Sequence, residues 1–422
     1  MSRAIDGYLQ NCACFLDYNN DDSHNSDEPF AFTDSYGGFT LNVPARDLST
    51  GALVVVKTDI VGEDGSECID SFTSSKPGFV TLRAPMNALV VTPLTTIAIE
   101  VASLYRITNE GAAELILQSL GLTNIDSDLI FNVDPFQKLV LDRDESIATL
   151  AYALVNFANS ISMISSLIYG GGSSSLEEAE SATILAFAKR IGESTLTFRK
   201  KKKKKMLLRR SFLSILDQTA TKEAEVSTHF LNVSDSSDIS AIISDAVNVV
   251  SLTSPDVYVE SHAREAIASA SSTASAFLLS SSLITTDSSN VGEAISKACA
   301  ASTKILQDPV LLSAIKELGN KTSVWSSSTT LITDLSNSTA MSAKYDSAKS
   351  SIIQIVIPHY PPPPSPPPPL QPPNPPLSPL PPLPSTPPSP PPPVVSFLSS
   401  SARRSRLRGI LVLVVIVVSF SL

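Results

Sequence analysis

The feature that most constrains this chain is a proline-rich tract at residues 358–393, which reads PHYPPPPSPPPPLQPPNPPLSPLPPLPSTPPSPPPP. Proline fixes φ near about −65° and lacks a backbone N–H, so the tract can form neither an α-helix nor the interior of a sheet. It is therefore predicted to be a disordered, solvated polyproline II stalk. At about 3.1 Å per residue, the stalk would span on the order of 110 Å.

The sequence on either side of this proline tract divides the chain into a head, a stalk and a tail. Of the 422 residues, 43% are hydrophobic, so the head is predicted to be multidomain with a substantial core. The net charge is −10 at pH 7, which argues against nucleic acid as a general partner. Four cysteines are too few for a disulfide-based scaffold in a chain of this length.

Residues 4–85 contain short segments that alternate apolar and polar residues, separated by turn residues. The clearest alternation is GFVTLRA at Gly78–Ala84. The other candidate strands are residues 8–16, 29–33, 38–43 and 52–57. Several short strands at this spacing predict a small all-β sandwich.

An acidic loop, residues 17–28, lies between the first two candidate strands. When its residues are counted as the calcium loop of EF-hand proteins, oxygen donors fall at the ligand positions of that motif. The predicted ligands are the side chains of Asp17, Asn19, Asp21, Asn25 and Glu28 and the backbone carbonyl of Ser23. A hard cation with about six to eight oxygen ligands suits this set, with Glu28 bidentate. The pattern therefore predicts calcium as a cofactor.

Two positions of the acidic loop depart from the calcium motif. The sixth position, where glycine normally makes the sharp turn, is Asp22, and the eighth, normally apolar, is His24. No helices are predicted to flank the loop, which excludes an EF-hand domain. The alternative is a solvated acidic hairpin loop, since Asp and Asn are common turn residues.

The sequence around the acidic loop resembles a module of large surface proteins. The shared pattern is Leu16-Asp17 at a strand end, an Asp/Asn-rich loop, Glu28-Pro29, and then Thr33-Asp34 through Phe39, followed by VTLRAPMNALVVTPLTT. This pattern is similar to the B-type repeats of bacterial and algal surface adhesins, which have a prealbumin-like sandwich. The resemblance implies an exported, structural and non-catalytic module whose loop binds calcium.

Three of the cysteines lie in the first 85 residues. Cys12 and Cys14 share one face of a predicted strand, because side chains alternate along a strand, and Cys68 lies in a predicted loop. Either Cys12 or Cys14 is a candidate for a disulfide with Cys68 in an oxidising compartment. The alternative is three reduced thiols.

Residues 86–198 are predicted to be mostly helical. Thr92-Pro93 suits the N-cap and first position of a helix, and Gly121 suits the end of a second one. Longer helical patterns follow at residues 144–168 and 176–198, on either side of a segment rich in glycine and serine.

Residues 199–210 form a basic linker, and residues 211–357 are a second helical region rich in alanine and serine. The linker, RKKKKKKMLLRR, is interpreted as a solvated charged segment. The alternatives are a nuclear-localisation or polyanion-binding patch, or non-coding sequence translated in an incorrect gene prediction.

Glycosylation sequons are present, whereas the common catalytic motifs are not. The sequons begin at Asn232, Asn320 and Asn337. The sequence has no G-x-S-x-G, H-E-x-x-H or P-loop motif, and its four histidines are widely scattered. The chain is therefore predicted not to be an enzyme.

The proline tract resembles a second family. PPPPSPPPP at residues 361–369 is similar to the stalks of extensins and of green-algal pherophorin-type glycoproteins. The resemblance implies hydroxylated and glycosylated prolines, which stiffen the stalk. The alternative, from another functional class, is an intracellular scaffold whose tract recruits SH3, WW or profilin-like domains.

The tail, residues 394–422, ends in the apolar segment Gly409–Leu422. This segment is shorter than the roughly 20 residues that a membrane-spanning helix needs. Small residues, a basic spacer and an apolar end predict a GPI-anchor signal cleaved after Ser399, Ser400 or Ser401. The alternatives are a short tail anchor with its arginines in the cytosol, or an apolar terminus without an anchoring role.

The beginning of the chain shows no secretory signal peptide, because it lacks a run of about seven or more apolar residues. Since the adhesin-like family is exported, we expect a start upstream of Met1 and a truncated gene prediction. Together, these patterns predict a non-catalytic glycoprotein of the cell surface, matrix or cell wall, tethered to the membrane by its tail. Its expected partners are cell-wall or matrix polymers and glycoproteins.

Overall fold

The computed structural model describes residues 2–47, 51–62, 64–122, 125–142, 145–193, 235–283, 291–320 and 328–352. These residues belong to one compact unit, Met1–Pro361. A second unit, Pro362–Leu422, lies outside the described residues, as do the whole proline tract and the basic linker. The stalk and the tail therefore stay predictions.

The first part of the described chain is a β region of short strands, in agreement with the sequence. The strands are β1 (Ser2–Ala4), β2 (Leu9–Gln10), β3 (Ala13–Asp17), β4 (Phe30–Phe32), β5 (Gly38–Phe39), β6 (Leu53–Lys57), β7 (Ile69–Asp70), β8 (Thr81–Pro85) and β9 (Val90–Val91). They form three small sheets, ordered β5-β1-β9, β2-β7 and β4-β3-β6-β8.

The four-stranded sheet β4-β3-β6-β8 is antiparallel throughout. Phe15 of β3 lies opposite Phe30 on one side and Val55 on the other, and Val55 lies opposite Arg83. Residues paired in this way project from the same face of a sheet, which we call the outer face. Phe15 and Val55 are fully buried, so other parts of the chain must cover the outer face.

The rest of the described chain is a mostly helical body, as the sequence predicts. Its helices are α1 (Pro93–Tyr105), α2 (Asn109–Ser119), α3 (Leu129–Asn132), α4 (Pro135–Asp142), α5 (Glu145–Gly170), α6 (residues 176–193), α7 (Ser236–Val250), α8 (Ser261–Leu283), α9 (Val291–Leu306), α10 (Pro309–Gly319), α11 (Ser328–Ser336) and α12 (Ser338–Ser351).

The start of α1 confirms the predicted cap. The side chain of Thr92 accepts a hydrogen bond from the N–H of Thr95 over 3.1 Å, and the side chain of Thr95 accepts one from the N–H of Thr92 over 2.8 Å. Pro93 occupies the first turn, where its missing N–H costs nothing. After α2, Gly121 adopts a left-handed φ of 75°, as a glycine that ends a helix commonly does.

Helix α5 lies in the core of the body. Its segment Ser146–Gly170 is the one stretch of the described residues that is long and apolar enough to cross a membrane, and 94% of its apolar window is buried inside the protein. Phe157 of α5 packs edge-to-face on Phe187 of α6, with ring centroids 5.1 Å apart. Such burial by neighbouring protein is typical of the core helix of a globular body.

Hydrogen bonds join the β region to the helical body. The buried carboxylate of Glu180, on α6, accepts from the N–H groups of Val80 (2.5 Å) and Thr81 (3.0 Å) at the start of β8. Gln307, after α9, accepts from the N–H of Gly78 over 2.9 Å. Residues from both regions contribute to one hydrophobic core, so sheet and helices stabilise one another.

Candidate functional site

The acidic loop joins β3 to β4, and its first half is built around the fully buried carboxylate of Asp17. Oδ1 of Asp17 accepts from the N–H groups of Asn19 (3.1 Å) and Asn20 (2.6 Å), and Oδ2 accepts from the N–H of Asp22 (2.9 Å). An aspartate side chain commonly folds the residues that follow it in this way. Both oxygens of Asp17 therefore hold the loop backbone.

Glu28 closes the second half of the acidic loop. Its Oε1 accepts from the N–H of Tyr18 over 2.9 Å, and its Oε2 accepts from the N–H of Asn25 over 2.8 Å. The side chain is buried beneath the loop. A carboxylate at each end of the loop, that of Asp17 or Glu28, thus accepts hydrogen bonds from backbone N–H groups of the loop.

The sharp turn of the acidic loop forms without glycine. Asn20 and Asp22 both have a φ of 59°, in the left-handed region. Asp and Asn enter this region at less cost than other residues that have a side chain. The absence of glycine at the sixth position therefore does not prevent the turn.

Arg83 holds the acidic loop against the outer face of the sheet. Its guanidinium forms a bidentate pair with Asp22, with Nε 2.7 Å from Oδ1, and a second pair with Glu100 of α1 over 2.7 Å. Burial works against the charge of Arg83, but the two carboxylates raise its pKa above the ordinary value. Burial raises the pKa of the Glu100 carboxyl, and the positive charge of Arg83 partly offsets this rise. The bidentate geometry fixes the direction of the loop.

The exposed middle of the acidic loop bonds mainly to itself. The carboxylate of Asp21 accepts from the N–H of Ser23 and from the side-chain amide of Asn19, each over 2.8 Å. The carbonyl of Ser23 accepts from the side-chain amide of Asn25 over 3.2 Å. Predicted ligands in the middle of the loop therefore lie close together and hydrogen-bond to one another.

Three carboxylates of the acidic loop, those of Asp17, Asp22 and Glu28, already have partners within the protein. Both oxygens of Asp17 and of Glu28 face backbone N–H groups, and Asp22 faces the cation of Arg83. Within the described ranges, no group of three or more His, Cys, Asp or Glu side chains is arranged to hold a metal ion. Calcium therefore stays a prediction of the sequence.

Aromatic rings lie beside the acidic loop. The ring of His24 is 5.7 Å from that of Phe15 and 4.7 Å from that of Phe30, measured between centroids. Phe30 and Phe32 pack edge-to-face at 5.0 Å. Phe30 is 39% exposed and Phe32 is 37% exposed, on the edge strand of the sheet. Both residues lie in a strand predicted from the sequence, but no role was predicted for them. The spacing in Phe-Ala-Phe places the two rings on one face of that strand.

A disulfide joins Cys12, just before β3, to Cys68, just before β7. It corresponds to one of the two pairings that the sequence left open. Cys14 and Cys299 are free and buried. Burial raises the pKa of the Cys14 thiol well above its usual value, so this thiol stays protonated and poorly reactive.

A buried ion pair that no sequence pattern predicted joins the β region to the body. Nη1 of Arg3 lies 2.5 Å from Oδ2 of Asp134, which also accepts from the hydroxyl of Tyr8 over 2.9 Å. Both charged side chains are buried, and each needs the other because an unpaired buried charge is costly. No local pattern predicts this pair, because its members are far apart in sequence.

Asp6 is a second buried acid that the sequence analysis missed. Its Oδ2 accepts from Nε2 of Gln307 over 3.0 Å, whereas its Oδ1 has no hydrogen-bond partner among the residues that the structure describes. Burial, reinforced by the neighbouring Asp70, raises the pKa of Asp6 to about 8, against the opposing effect of Gln307. Burial raises the pKa of Asp70 to about 6. Each of the two acids is 1% exposed, so the protonation of both bears on the stability of the folded protein.

Two of the three sequon asparagines fall within the described residues. Asn320 and Asn337 are both exposed. Oδ1 of Asn337 caps α12 by accepting from the N–H groups of Thr339 (3.0 Å) and Ala340 (3.3 Å). Asn232 and the anchor-site candidates Ser399, Ser400 and Ser401 lie outside the described residues.

Neither a known protein family, nor a curated protein, nor a solved structure matches this chain.

Proposed function

We propose that this chain is a non-catalytic, adhesin-like structural glycoprotein of the cell surface or extracellular matrix. In this proposal the described unit is the head, the proline tract is a stalk, and residues 394–422 carry a GPI-anchor signal. The partners are cell-wall or matrix polymers and glycoproteins. The stalk holds the head away from the membrane by a distance on the order of 110 Å.

The observation that carries the proposal is the disulfide between Cys12 and Cys68. Structural disulfides persist in oxidising compartments and are rare in the cytosol. Both cysteines are fully buried, so the bond belongs to the folded head. An exported head of this kind agrees with a hydroxyproline-type stalk better than with a cytosolic scaffold.

The contacts of the β region support a structural role for the head. Arg83 ties the acidic loop to β8 and α1, and Glu180 ties the start of β8 to α6. We propose that this region corresponds to the prealbumin-like sandwich of the adhesin repeats. The support is that the β5-β1-β9 and β4-β3-β6-β8 sheets contribute side chains to one hydrophobic core.

The proposal is tested on intact cells of the source organism. A membrane-impermeant biotin reagent labels surface proteins, and an antibody raised against the recombinant chain then recovers the native protein. We expect biotin on the protein before the cells are permeabilised, and a Cys12–Cys68 peptide in a non-reducing digest. Phospholipase C specific for GPI anchors should release the labelled protein.

Two results would contradict the proposal. Labelling that appears only after permeabilisation, together with free Cys12 and Cys68, would favour the intracellular scaffold that recruits proline-binding domains. Peptides of the native protein that reach Leu422 would exclude cleavage after Ser399, Ser400 or Ser401, and would favour a tail anchor over GPI.

A further inference from the structure

The strand β4 forms the free edge of the four-stranded sheet within the described part of the chain. Along its other edge, β4 pairs with β3. The N–H of Leu16 donates to the carbonyl of Pro29, and the N–H of Thr33 donates to the carbonyl of Cys12, each over 3.0 Å. These two bonds fix which residues of β4 direct their backbone groups towards β3.

Hydrogen-bonded and non-hydrogen-bonded positions alternate along an antiparallel pair. Because residues 29 and 33 bond to β3, Ala31 between them also faces β3, opposite Cys14. Phe30 and Phe32 therefore direct their N–H and C=O groups away from the sheet. The edge presents two donors and two acceptors in the spacing that an added strand requires.

The side chains of this edge are apolar as well as exposed. Phe30 and Phe32 project from the outer face and expose more than a third of their surface each. Tyr36, beyond the end of β4, is 40% exposed. Natural proteins usually protect an exposed edge strand with charge, proline or a covering segment, and an exposed aromatic edge is typical of a binding surface.

The charge around the edge has one sign. Residues 17–36 contain six carboxylates (Asp17, Asp21, Asp22, Asp27, Glu28 and Asp34) and no lysine or arginine. Asp17 and Glu28 are buried and Asp22 pairs with Arg83, which leaves three exposed carboxylates, at Asp21, Asp27 and Asp34, on the two flanks of β4. A partner for this edge therefore needs positive charge.

We propose that the edge of β4 binds an extended peptide rich in lysine or arginine, which adds to the sheet as a fifth strand. Backbone bonds to Phe30 and Phe32 provide affinity, and alternate apolar side chains of the peptide cover the two rings. Basic side chains at the two ends of the peptide lie near Asp21 and Asp27, which precede β4, and near Asp34, which follows it. This inference goes beyond the proposed function and does not depend on it.

The first test is peptide binding to the full-length protein, followed by fluorescence anisotropy. The probe is a labelled peptide of alternating lysine and valine, eight residues long, and the matched control replaces every lysine by glutamate. We expect the lysine peptide to bind, its affinity to weaken several-fold as salt is raised, and the glutamate peptide not to bind. Equal binding of both peptides would overturn the proposal, as would a lack of binding both to the wild type and to the variant without the linker lysines described below.

Two variants at one position separate strand addition from simple aromatic contact. Phe32→Ala removes the ring, whereas Phe32→Pro removes the ring and also the outward N–H, without removing a bond to β3. Proline is tolerated at such an edge position. We expect Phe32→Pro to bind the lysine peptide more weakly than Phe32→Ala, at an equal melting temperature. Equal affinities of the two variants would rule out strand addition.

Two neutralising variants test the charge argument. Asp27→Asn removes a flanking carboxylate, and Glu114→Gln, on the exposed surface of α2, removes the same charge elsewhere. Only Asp27→Asn is expected to weaken binding and reduce its salt dependence. Equal losses of affinity in the two variants would show that the peptide responds only to the net charge of the protein, and would contradict a site at β4.

The chain itself carries a segment with the proposed chemistry. Residues 199–210 contain nine lysines and arginines and no acid. In the full-length protein, a variant with Lys200–Lys205 replaced by serine is therefore tested beside the wild type. Tighter peptide binding by this variant would identify the basic linker as a competing occupant of the edge, and equal binding would leave an external peptide as the occupant. Failure of the lysine peptide to bind either protein would overturn the proposal.

Discussion

Gln307 donates a hydrogen bond from Nε2 to Oδ2 of Asp6 over 3.0 Å, and so joins the first turn of the chain to the end of α9. The same amide contacts Oδ1 of Asn159 on α5 at 3.3 Å, and its oxygen accepts from the N–H of Gly78. The titratable groups that face Asp6 are Asp70 and Cys299. One buried side chain thus holds the β region, α5 and α9 together around a buried acid, whose Oδ1 is unpaired within the described part of the chain.

The stability of the protein should fall as pH rises from about 4 to 8, in part because of Asp6. Its pKa is about 8 in the folded protein, against an ordinary value of 3.8. Below pH 3.8 both states are protonated; above it the unfolded chain ionises while the folded protein retains the proton, which disfavours folding until the pH passes about 8. Asp6→Asn should therefore raise the melting temperature at pH 8 and flatten its decline. Thermal unfolding between pH 4 and 9 measures both.

The control for this experiment is Glu114→Gln, an exposed acid on α2 that should leave the pH dependence unchanged. Asp70 and Glu180, whose pKa values burial raises to about 6 and about 7, act with the same sign and remain in the Asp6→Asn variant. The decline should consequently be reduced and not abolished. An unchanged decline in Asp6→Asn would show that Asp6 does not retain its proton in the folded protein.

Local patterns in the sequence were sufficient to predict the elements whose determinants are local. Thr92 and Pro93 define the start of α1 because a cap and a first-turn proline need only their own neighbours. The alternation in residues 78–84 predicted β8 for the same reason. The helical body was predicted from periodicity, since most of its helices bury one face.

Contacts between distant residues could not be predicted in this way. Arg3 and Asp134 form their ion pair only after the whole unit has folded, and neither residue has a neighbour in sequence that signals it. The acidic loop shows a different limit. The same oxygen atoms can bind a calcium ion or accept hydrogen bonds from the loop's own N–H groups. The sequence does not give the directions in which the carboxylates of Asp17 and Glu28 point.

The acidic loop should be folded without calcium. Asp17 and Glu28 already accept backbone hydrogen bonds, and a cation would have to share or displace them. We expect the same melting temperature in EDTA and in millimolar calcium. A higher melting temperature in calcium would mean that the folded state binds the ion, and would support the calcium hypothesis. Magnesium at equal concentration controls for ionic strength.

Arg83 should contribute more to stability than an exposed cation does. Arg83→Met keeps much of the side-chain length but removes the pairs with Asp22 and Glu100, and should lower the free energy of unfolding by about 1–3 kcal/mol. Lys189→Met removes a pair with Asp245 that is half exposed on the lysine side, and should cost less than about 1 kcal/mol. Urea denaturation of the two variants measures both losses of unfolding free energy. Equal losses would show that the acidic loop is not anchored by Arg83.

Helices α5 and α10 approach each other backbone to backbone. A methyl group added at Gly170, near the end of α5, would overlap the carbonyl of Lys316 on α10. A methyl group added at Gly319, the last residue of α10, would overlap the backbone carbonyl of Leu167 on α5. Backbone atoms cannot rotate away as a flexible side chain can, so both positions require glycine for this packing.

Gly170→Ala should lower the free energy of unfolding by about 1–3 kcal/mol, because the two helices must separate to admit the methyl group. The matched control is Gly111→Ala in α2, where the nearest atom to the new methyl would be 3.5 Å away, an ordinary contact. That substitution should raise the free energy of unfolding by about 0.5–1 kcal/mol, because alanine favours a helix and restricts the unfolded chain. Urea denaturation of both variants measures the difference in sign. If Gly170→Ala were as stable as the wild type, α5 and α10 would not pack as closely as their glycines indicate.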